Sequence, residues 1–466
     1  MNQSVSPTTQ APAPPNRWRA PALYGLMVAL AVSFFFQIRT WGDALPLPKT
    51  APPASVAAPP PAGDAILHVL LALAAVILVG RLLGRIFTYI GQPPVIGEVV
   101  AGILLGPSLL GRLAPEAAGL ILPATVAPFL GVIAQLGVIL YMFLVGLEFD
   151  GARLRSHAHT SIAIAHASIV VPFMLGSLLA LGLYSHLAPG GVPFTSFALF
   201  MGIALSVTAF PVLARILSDR GMTRTELGIL ALGCAAADDV TAWCLLAFVV
   251  GITQAKIEGA LWVCVLSVAY VAAMVGLVRP AAKHLAARYQ DKDVDRGVIA
   301  GVLLAVLLSA LTTEAIGIHA VFGAFLLGAM IPHDCAIARI LTRQMEDLVT
   351  VLFLPAFFAF TGMRTQIGLV TGWQDWLTCG LIVLVATAGK FGGAFLAARL
   401  TGLGWRMSAA LGVLMNTRGL MELIVLNIGL DLGVISPTLF AMMVIMALVT
   451  TLATTPVLHF LDGRRK

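Results

Sequence analysis

Two adjacent carboxylates, Asp238 and Asp239, follow Cys234-Ala235-Ala236-Ala237 in a stretch that is otherwise apolar. Four more ionisable residues stand in equally apolar surroundings: Glu98, Lys390, Arg418 and Glu422. A charge at the centre of a bilayer costs about 2.5 to 3.5 kcal/mol on an insertion scale, so six unpaired ones would cost on the order of 18 kcal/mol. Such groups persist only when they are paired, hydrated or neutralised. Four acids against two bases leave a formal charge of −2 that the set cannot cancel from within. The cheapest remaining partners are protons or a bound cation.

Adjacent helical residues point about 100° apart, so Asp238 and Asp239 cannot share a direction. One faces a partner while the other faces a cavity, where a carboxylate can exchange a proton for a cation; the structural alternative is an acid satisfied by helix-end amides. Lys390, in Thr387-Ala388-Gly389-Lys390-Phe391-Gly392-Gly393, needs an anionic partner, and its small neighbours allow close helix contact. It reads as a counter-ion to Asp238, with a titrating competitor as the alternative. Arg418 and Glu422 are four apart, meet on one helix face and hold the helix around them. Glu98, in Val95-Ile96-Gly97-Glu98-Val99, is structural or on the rim of an access path. His166 and His319 lack clustered partners and read as packing residues.

The elements that carry these groups are membrane helices. Of the 466 residues 59% are hydrophobic and only 11% charged, and the mean hydropathy is +0.96, whereas a soluble domain carries about 25% charged residues. Long unbroken apolar runs exclude an outer-membrane barrel, whose strands alternate. Five cysteines without CxxC or Cys/His spacing read as small hydrophobes, not metal ligands or disulfides. The net charge of +6 is not concentrated on a stretch long enough for a nucleic-acid-binding domain.

Fourteen candidate spans follow from the apolar runs: 21–38, 65–88, 93–111, 126–147, 159–188, 194–216, 225–252, 259–281, 297–313, 316–332, 348–369, 375–401, 407–431 and 435–460. The run 297–332 is too long for one crossing and is split at Glu314. Of the 28 lysines and arginines, 21 fall in alternate connecting segments (1–20, 81–92, 148–158, 215–224, 279–296, 333–348, 399–406 and 461–466) and 5 on the opposite side. By the positive-inside rule both termini are cytoplasmic. The first span and the Pro/Ala-rich stretch 45–63 form an N-terminal unit, residues 1–64, read as an uncleaved anchor and linker rather than a signal peptide. Residues 65–460 form the transmembrane domain and 461–466 a short cytoplasmic tail. The loop from Lys283 to Arg296 alternates in sign and reads as a solvated surface, with pH sensing as the alternative.

Two spans are interrupted at mid-depth, at Ser206-Val207-Thr208-Ala209-Phe210-Pro211 and at Asn416-Thr417-Arg418-Gly419. Backbone that leaves the helix inside a membrane must line a cavity or be buried in protein. Singly, each interruption reads equally well as a Pro kink or a Gly packing notch. As a pair seven spans apart they enter from opposite sides, the sign of an inverted-topology repeat with binding residues at the breaks.

The chain resembles the monovalent cation/proton antiporter family of the Kef-type potassium exporters, bacterial sodium/proton antiporters and plant cation/proton exchangers. The resemblance rests on Gly91-Gln92-Pro93-Pro94-Val95-Ile96-Gly97-Glu98, Phe143-Leu144-Val145-Gly146-Leu147-Glu148, the two interruptions, Asp238-Asp239, Gly317-Ile318-His319-Ala320-Val321-Phe322-Gly323-Ala324-Phe325 and the continuation Leu420-Met421-Glu422-Leu423. It implies an all-α inverted-repeat antiporter fold in a bacterial inner membrane, with two crossed discontinuous helices, thirteen core helices and one extra N-terminal helix. A dimerisation domain, a homodimer in the lipid and a mobile elevator-like ion-binding domain are implied as well. It further implies that Asp239 is the principal cation and proton carrier, that Asp238 is salt-bridged to Lys390, and that Thr208 and Ser206 line the site, with Asn416 among the structural polar residues. The Asp-Asp pair implies electrogenic exchange, two protons for one Na⁺ or K⁺, with no cofactor and no enzyme chemistry. The chain ends about six residues past its last span, so the nucleotide-binding domain of Kef-type exporters, and its regulation, are expected to be absent. Competing readings are a passive cation channel or potassium efflux protein and, from another class, an intramembrane aspartyl protease; the last needs two aspartates facing each other from different helices.

Overall fold

The computed structural model describes residues 19–48, 65–123, 126–148, 158–223, 225–254, 257–289 and 294–462. Every regular element among them is helical, and eleven helices, or twelve when a bent pair is counted as one, are long and apolar enough to cross a membrane. The chain runs through α1 (Arg19–Gly42), α2 (Ala65–Tyr89), α3 (Pro94–Leu105), α4 (Ala127–Glu148), α5 (Ala158–Leu187), α6 (Phe194–Ser206), α7 (Phe210–Asp219) and α8 (Glu226–Gln254). Next come α9 (Ile257–Ala273), which passes through a π-turn at Met274–Val278 into α10 (Arg279–Arg288), then α11 (Arg296–Ile316) and α12 (Ala320–Met330). The remainder comprises α13 (Ala336–Leu348), joined by a second π-turn, Val349–Phe353, to α14 (Leu354–Arg364), then α15 (Gly372–Leu400), α16 (Trp405–Met415), α17 (Leu420–Asp431) and α18 (Pro437–Asp462). The stretch 49–64, most of the expected linker, and both chain ends lie outside the described residues.

The helices pack in two groups. In one, α5 lies against α15, α6 and α8, and α16 and α18 lie against α15; in the other, α3 lies against α2 and α14, and α4 against α12 and α14. Small residues set the spacing, as expected where lipid offers helices no hydrophobic reason to associate. A Cβ on Gly146 of α4 would sit 2.3 Å from the Phe325 carbonyl oxygen, and one on Gly328 of α12 would sit 2.3 Å from that of Phe143. Gly389 and Gly393, either side of Lys390, bring α15 against α5 in the same way, with Cβ positions 2.9 Å from Pro172 and 2.7 Å from the Ala167 carbonyl.

Three boundaries differ from the sequence expectation. Segment 333–348, assigned to a basic loop, is mostly α13, which buries Ile337, Ala338 and Leu341 and exposes Arg339, Arg343, Glu346 and Asp347. Counting charges locates a water-facing segment and is blind to whether its backbone is helical. The Lys283–Arg296 loop is likewise helical through Arg288, with residues 290–293 outside the described set. Glu314 does not mark the turn that splits 297–332. Helix α11 continues to Ile316 and ends at Gly317, whose φ of 95° needs no Cβ, while the Glu314 carboxylate accepts the Ala320 amide at 2.9 Å and caps α12.

The close contacts give a test. Gly146→Ala is expected to lower the melting temperature in detergent by an amount matching about 1 to 3 kcal/mol, the cost of overpacking. Gly380→Ala on α15, where a Cβ meets nothing within 4 Å, is expected to leave it unchanged or raise it. Equal effects of the two would contradict the packing described.

Candidate functional site

Helix α6 stops at Ser206, Val207 is extended (φ −70°, ψ 134°) and α7 restarts at Phe210. Helix α16 stops at Met415, and α17 restarts at Leu420 with its axis bent by 42°. Each break has an expected physical origin: Pro211 has no amide to continue a helix, and Asn416, Thr417 and Gly419 around Arg418 are poor helix formers. The two breaks touch. The Ala209 amide donates to the Thr417 carbonyl at 3.0 Å, and the Thr208 hydroxyl donates to the Met415 carbonyl at 3.1 Å.

Helix ends inside an apolar layer expose amides at the start and carbonyls at the finish, equivalent to about half a positive and half a negative charge. At the α6/α7 break each end meets the opposite sign. At the finish of α6, Arg418 donates to the carbonyls of Ala204 (3.1 Å) and Leu205 (2.7 Å), and Lys390 donates to that of Ser206. At the start of α7, the Thr208 amide donates to Asp238 at 2.9 Å, and the Phe210 backbone hydrogen-bonds to Asp239. Arg418 therefore serves the other broken helix as well as its own, where it pairs with Glu422 at 3.2 Å. Its backbone is held by Thr451 of α18, whose hydroxyl receives the Arg418 amide at 3.0 Å and donates to the Arg418 carbonyl at 2.6 Å.

The two aspartates separate as their 100° offset requires. Asp238, fully buried, accepts from Lys390 Nζ at 3.0 Å, from the Thr208 amide and from the Ser168 hydroxyl of α5 at 3.2 Å. Asp239 is 3% exposed, and its Oδ1 has no hydrogen-bond partner among the described residues. It lies 13 residues from the start of α8 and 15 from its end, so it stands at mid-length, with about 20 Å of helix on either side.

Of the other expected site residues, Ser206 turns its hydroxyl to the Ile169 and Gly202 carbonyls and offers its own carbonyl to Lys390. Asn416 and Thr417 are buried at the second break, each with a side-chain oxygen lacking a partner among the described residues. Glu98 lies apart from the crossing: it is half-buried on α3 against Gly80 of α2, with Arg81 as its charged neighbour. Ser168 and Thr451 were not anticipated. A serine or threonine in an apolar helix commonly bonds its own preceding turn, so neither carries a sequence signal of a tertiary role.

Two cavities lined by charged side chains have none of the crossing residues in their walls. One, about 520 Å³, is lined by Glu148, Arg339, Arg343, Glu346 and Asp347 at the end of α4 and along α13. The other, about 340 Å³, is lined by Gln135, Glu314, His319 and Asp431 where α11 and α17 end.

A family profile described as sodium/hydrogen exchanger, transmembrane, matches residues 72–461. The chain is 44% identical over 396 residues to the Na(+)/H(+) antiporter NhaS4 of Synechocystis sp. strain PCC 6803, covering 84% of this chain and 97% of that one. It is 39% identical to cation/H(+) antiporter 17 of Arabidopsis thaliana, covering 85% of this chain and 48% of that one, and 33% identical to K(+)/H(+) antiporter 1 of Saccharomyces cerevisiae, covering 84% and 46%. It thus spans about half the length of the plant and yeast relatives. The solved structure of the sodium proton antiporter MjNhaP1 from Methanocaldococcus jannaschii superposes with a TM-score of 0.63 at 15% identity, over 85% of this chain and 96% of that one, a likeness of fold. On a profile match spanning most of its length, the chain belongs to the sodium/hydrogen exchanger family.

Proposed function

We propose that this multi-pass membrane protein is a monovalent cation/proton antiporter, exchanging Na⁺ or K⁺ for protons by alternating access. The observation that carries this reading is the Asp239 carboxylate: buried at mid-length of α8, with an oxygen that no donor among the described residues satisfies. A buried oxygen of that kind is costly unless something fills it. A proton fills it in one state and a dehydrated cation in the other. One carboxylate cannot hold both at once, so the two transports are coupled. Asp238 and Lys390 hold the break in place beside it, and Thr208, Ser206 and Asn416 supply oxygens at the crossing.

With α6/α7, α9/α10, α13/α14 and α16/α17 each taken as one pass, the chain makes thirteen passes after α1. The broken passes are the fifth and the twelfth of these and enter from opposite sides, as an inverted repeat requires. The packing group around α5, α6, α8, α15, α16 and α18 is the mobile ion-binding domain, and the group around α3, α4, α12 and α14 the fixed, dimer-forming one. Both termini are cytoplasmic, the membrane is a bacterial inner one, and α1 is an uncleaved anchor. Two protons exchanged per cation need a second proton site: Asp239 carries one, and Lys390, whose ammonium pairs with Asp238 here, carries the other and gives it up when the cation binds.

Three outcomes follow. In proteoliposomes carrying an internal pH dye, pulses of Na⁺ or K⁺ move protons in the wild type, and Asp239→Asn lowers the rate at least a hundredfold. A wild type that moves no protons, or an equally active mutant, would falsify the reading. Net transfer of one charge per cycle makes a potential of 100 mV worth about 2.3 kcal/mol, roughly fifty-fold in the equilibrium cation gradient; a gradient indifferent to a valinomycin-set potential rules out two protons per cation. Lys390→Ala leaves Asp238 buried without its counter-ion and is expected to cost about 3 to 5 kcal/mol, read as a lower melting temperature that the double variant Asp238→Asn/Lys390→Met largely restores.

A further inference from the structure

Helix α14 ends at Arg364, which reaches across to α17, a helix packed against α6 and α18 of the other group. Its Nη2 lies 2.5 Å from Asp431 Oδ1 and its Nη1 donates to Asn427 Oδ1 at 3.1 Å. Asn427 returns the contact, donating its amide to the Thr361 hydroxyl of α14 at 2.9 Å. Thr361 and Arg364 are one turn apart, as are Asn427 and Asp431, so the four residues form a two-rung clasp between the helices. The guanidinium also stands 5.0 Å from the centre of the Phe360 ring, which holds it toward α17.

The clasp stands beside a cavity at the end of α17. Asp431 is the last residue of α17, eleven beyond the helix start at the broken crossing, about 16 Å away along the axis. It also lines the 340 Å³ cavity together with Glu314, His319 and Gln135. The side chains of Arg364 and Asp431 are 23% and 59% exposed, and an ion pair so wetted contributes little to stability. That suits an outer rung that forms and breaks, while the inner rung from Asn427 to Thr361 is buried. Its release has an electrostatic consequence, because freeing Asp431 from the guanidinium leaves a bare carboxylate in a cavity that already holds Glu314, raising the local concentration of cations at the opening.

Building on the antiport reading, we infer that Arg364, Asn427, Asp431 and Thr361 form the closure of the ion path on the side where α11 and α17 end, made in this conformation and broken when Asp239 opens to that side. Arg364 is then a positioning residue of the exchange cycle. It never meets the ion at Asp239, and it governs which side the ion meets.

The test combines a cross-link with sidedness. In a variant whose five native cysteines are replaced by alanine, Thr361→Cys and Asn427→Cys are oxidised in proteoliposomes and the cross-link is verified by mass spectrometry. The closure predicts that cation-driven proton movement falls at least tenfold on oxidation and returns on reduction. In right-side-out and everted vesicles, Arg364→Ala is expected to shift the half-saturating cation concentration at least threefold on the cavity side and to leave the other side unchanged, with Arg364→Lys in between. A purely structural role would move both sides together or neither. Undiminished exchange by the cross-linked pair, or an equal shift on both sides, overturns the closure while antiport by the wild type stands. Absence of proton movement in the wild type instead removes the antiport reading, and the closure with it.

Discussion

Two helices end inside the molecule, and the compensation of those ends is the constraint on which the rest depends. The carbonyls that finish α6 receive Arg418 and Lys390, and the amides that start α7 face Asp238 and Asp239. Neither half would survive alone, because unsatisfied backbone and unpaired charge are both expensive away from water. Set against each other, the partial charges of the helix ends and the full charges of the side chains cancel almost completely. Among the described residues Asp239 Oδ1 is left without a partner, as are polar atoms of Asn416, Thr417, Arg418 and Glu422 at the second break; of these Asp239 is the acid with no basic side chain bonded to it, and the reading of this protein as an exchanger rests on it.

Everything near the crossing serves to keep the compensation in register. Gly389 and Gly393 bring Lys390 close enough for its ammonium to reach both Ser206 and Asp238. Ser168 fixes Asp238 from a third helix, and Thr451 fixes the Arg418 backbone from a fourth. A densely bonded buried network of this kind holds its members in fixed positions. Between α14 and α17 the Arg364–Asp431 pair is partly exposed, while the Asn427–Thr361 bond is buried.

Much of this was legible in the sequence, because in a membrane polar residues have few excuses. The interruptions at Ser206–Pro211 and Asn416–Gly419 located both breaks, the helical offset of Asp238 from Asp239 anticipated their different surroundings, and the glycines around Lys390 signalled the close contact with α5. Sequence spacing reports only neighbours along a helix, so it paired Arg418 with Glu422 and was silent about Ala204 and Leu205, more than two hundred positions away. The same blindness hid the clasp of Arg364 with Asn427 and Asp431. Charge counting cannot tell α13 from a loop, since one face of this amphipathic helix carries the charges while Ile337, Ala338 and Leu341 are buried on the other. A charge in an apolar run suggests a turn at Glu314, but α11 runs past it and its carboxylate caps α12.

The central claim is that a proton and a cation compete for the same buried oxygen, and proton release on cation binding tests it most directly. The purified protein in detergent, in a weakly buffered solution with a pH indicator, is titrated with Na⁺ and with K⁺ at several starting pH values. Competition predicts that saturating cation expels protons in a fixed ratio to protein, and that the half-saturating concentration rises about tenfold or more for each unit fall in pH, because linked equilibria are reciprocal. Cation binding that releases no protons, or a half-saturation point that does not move with pH, would contradict it.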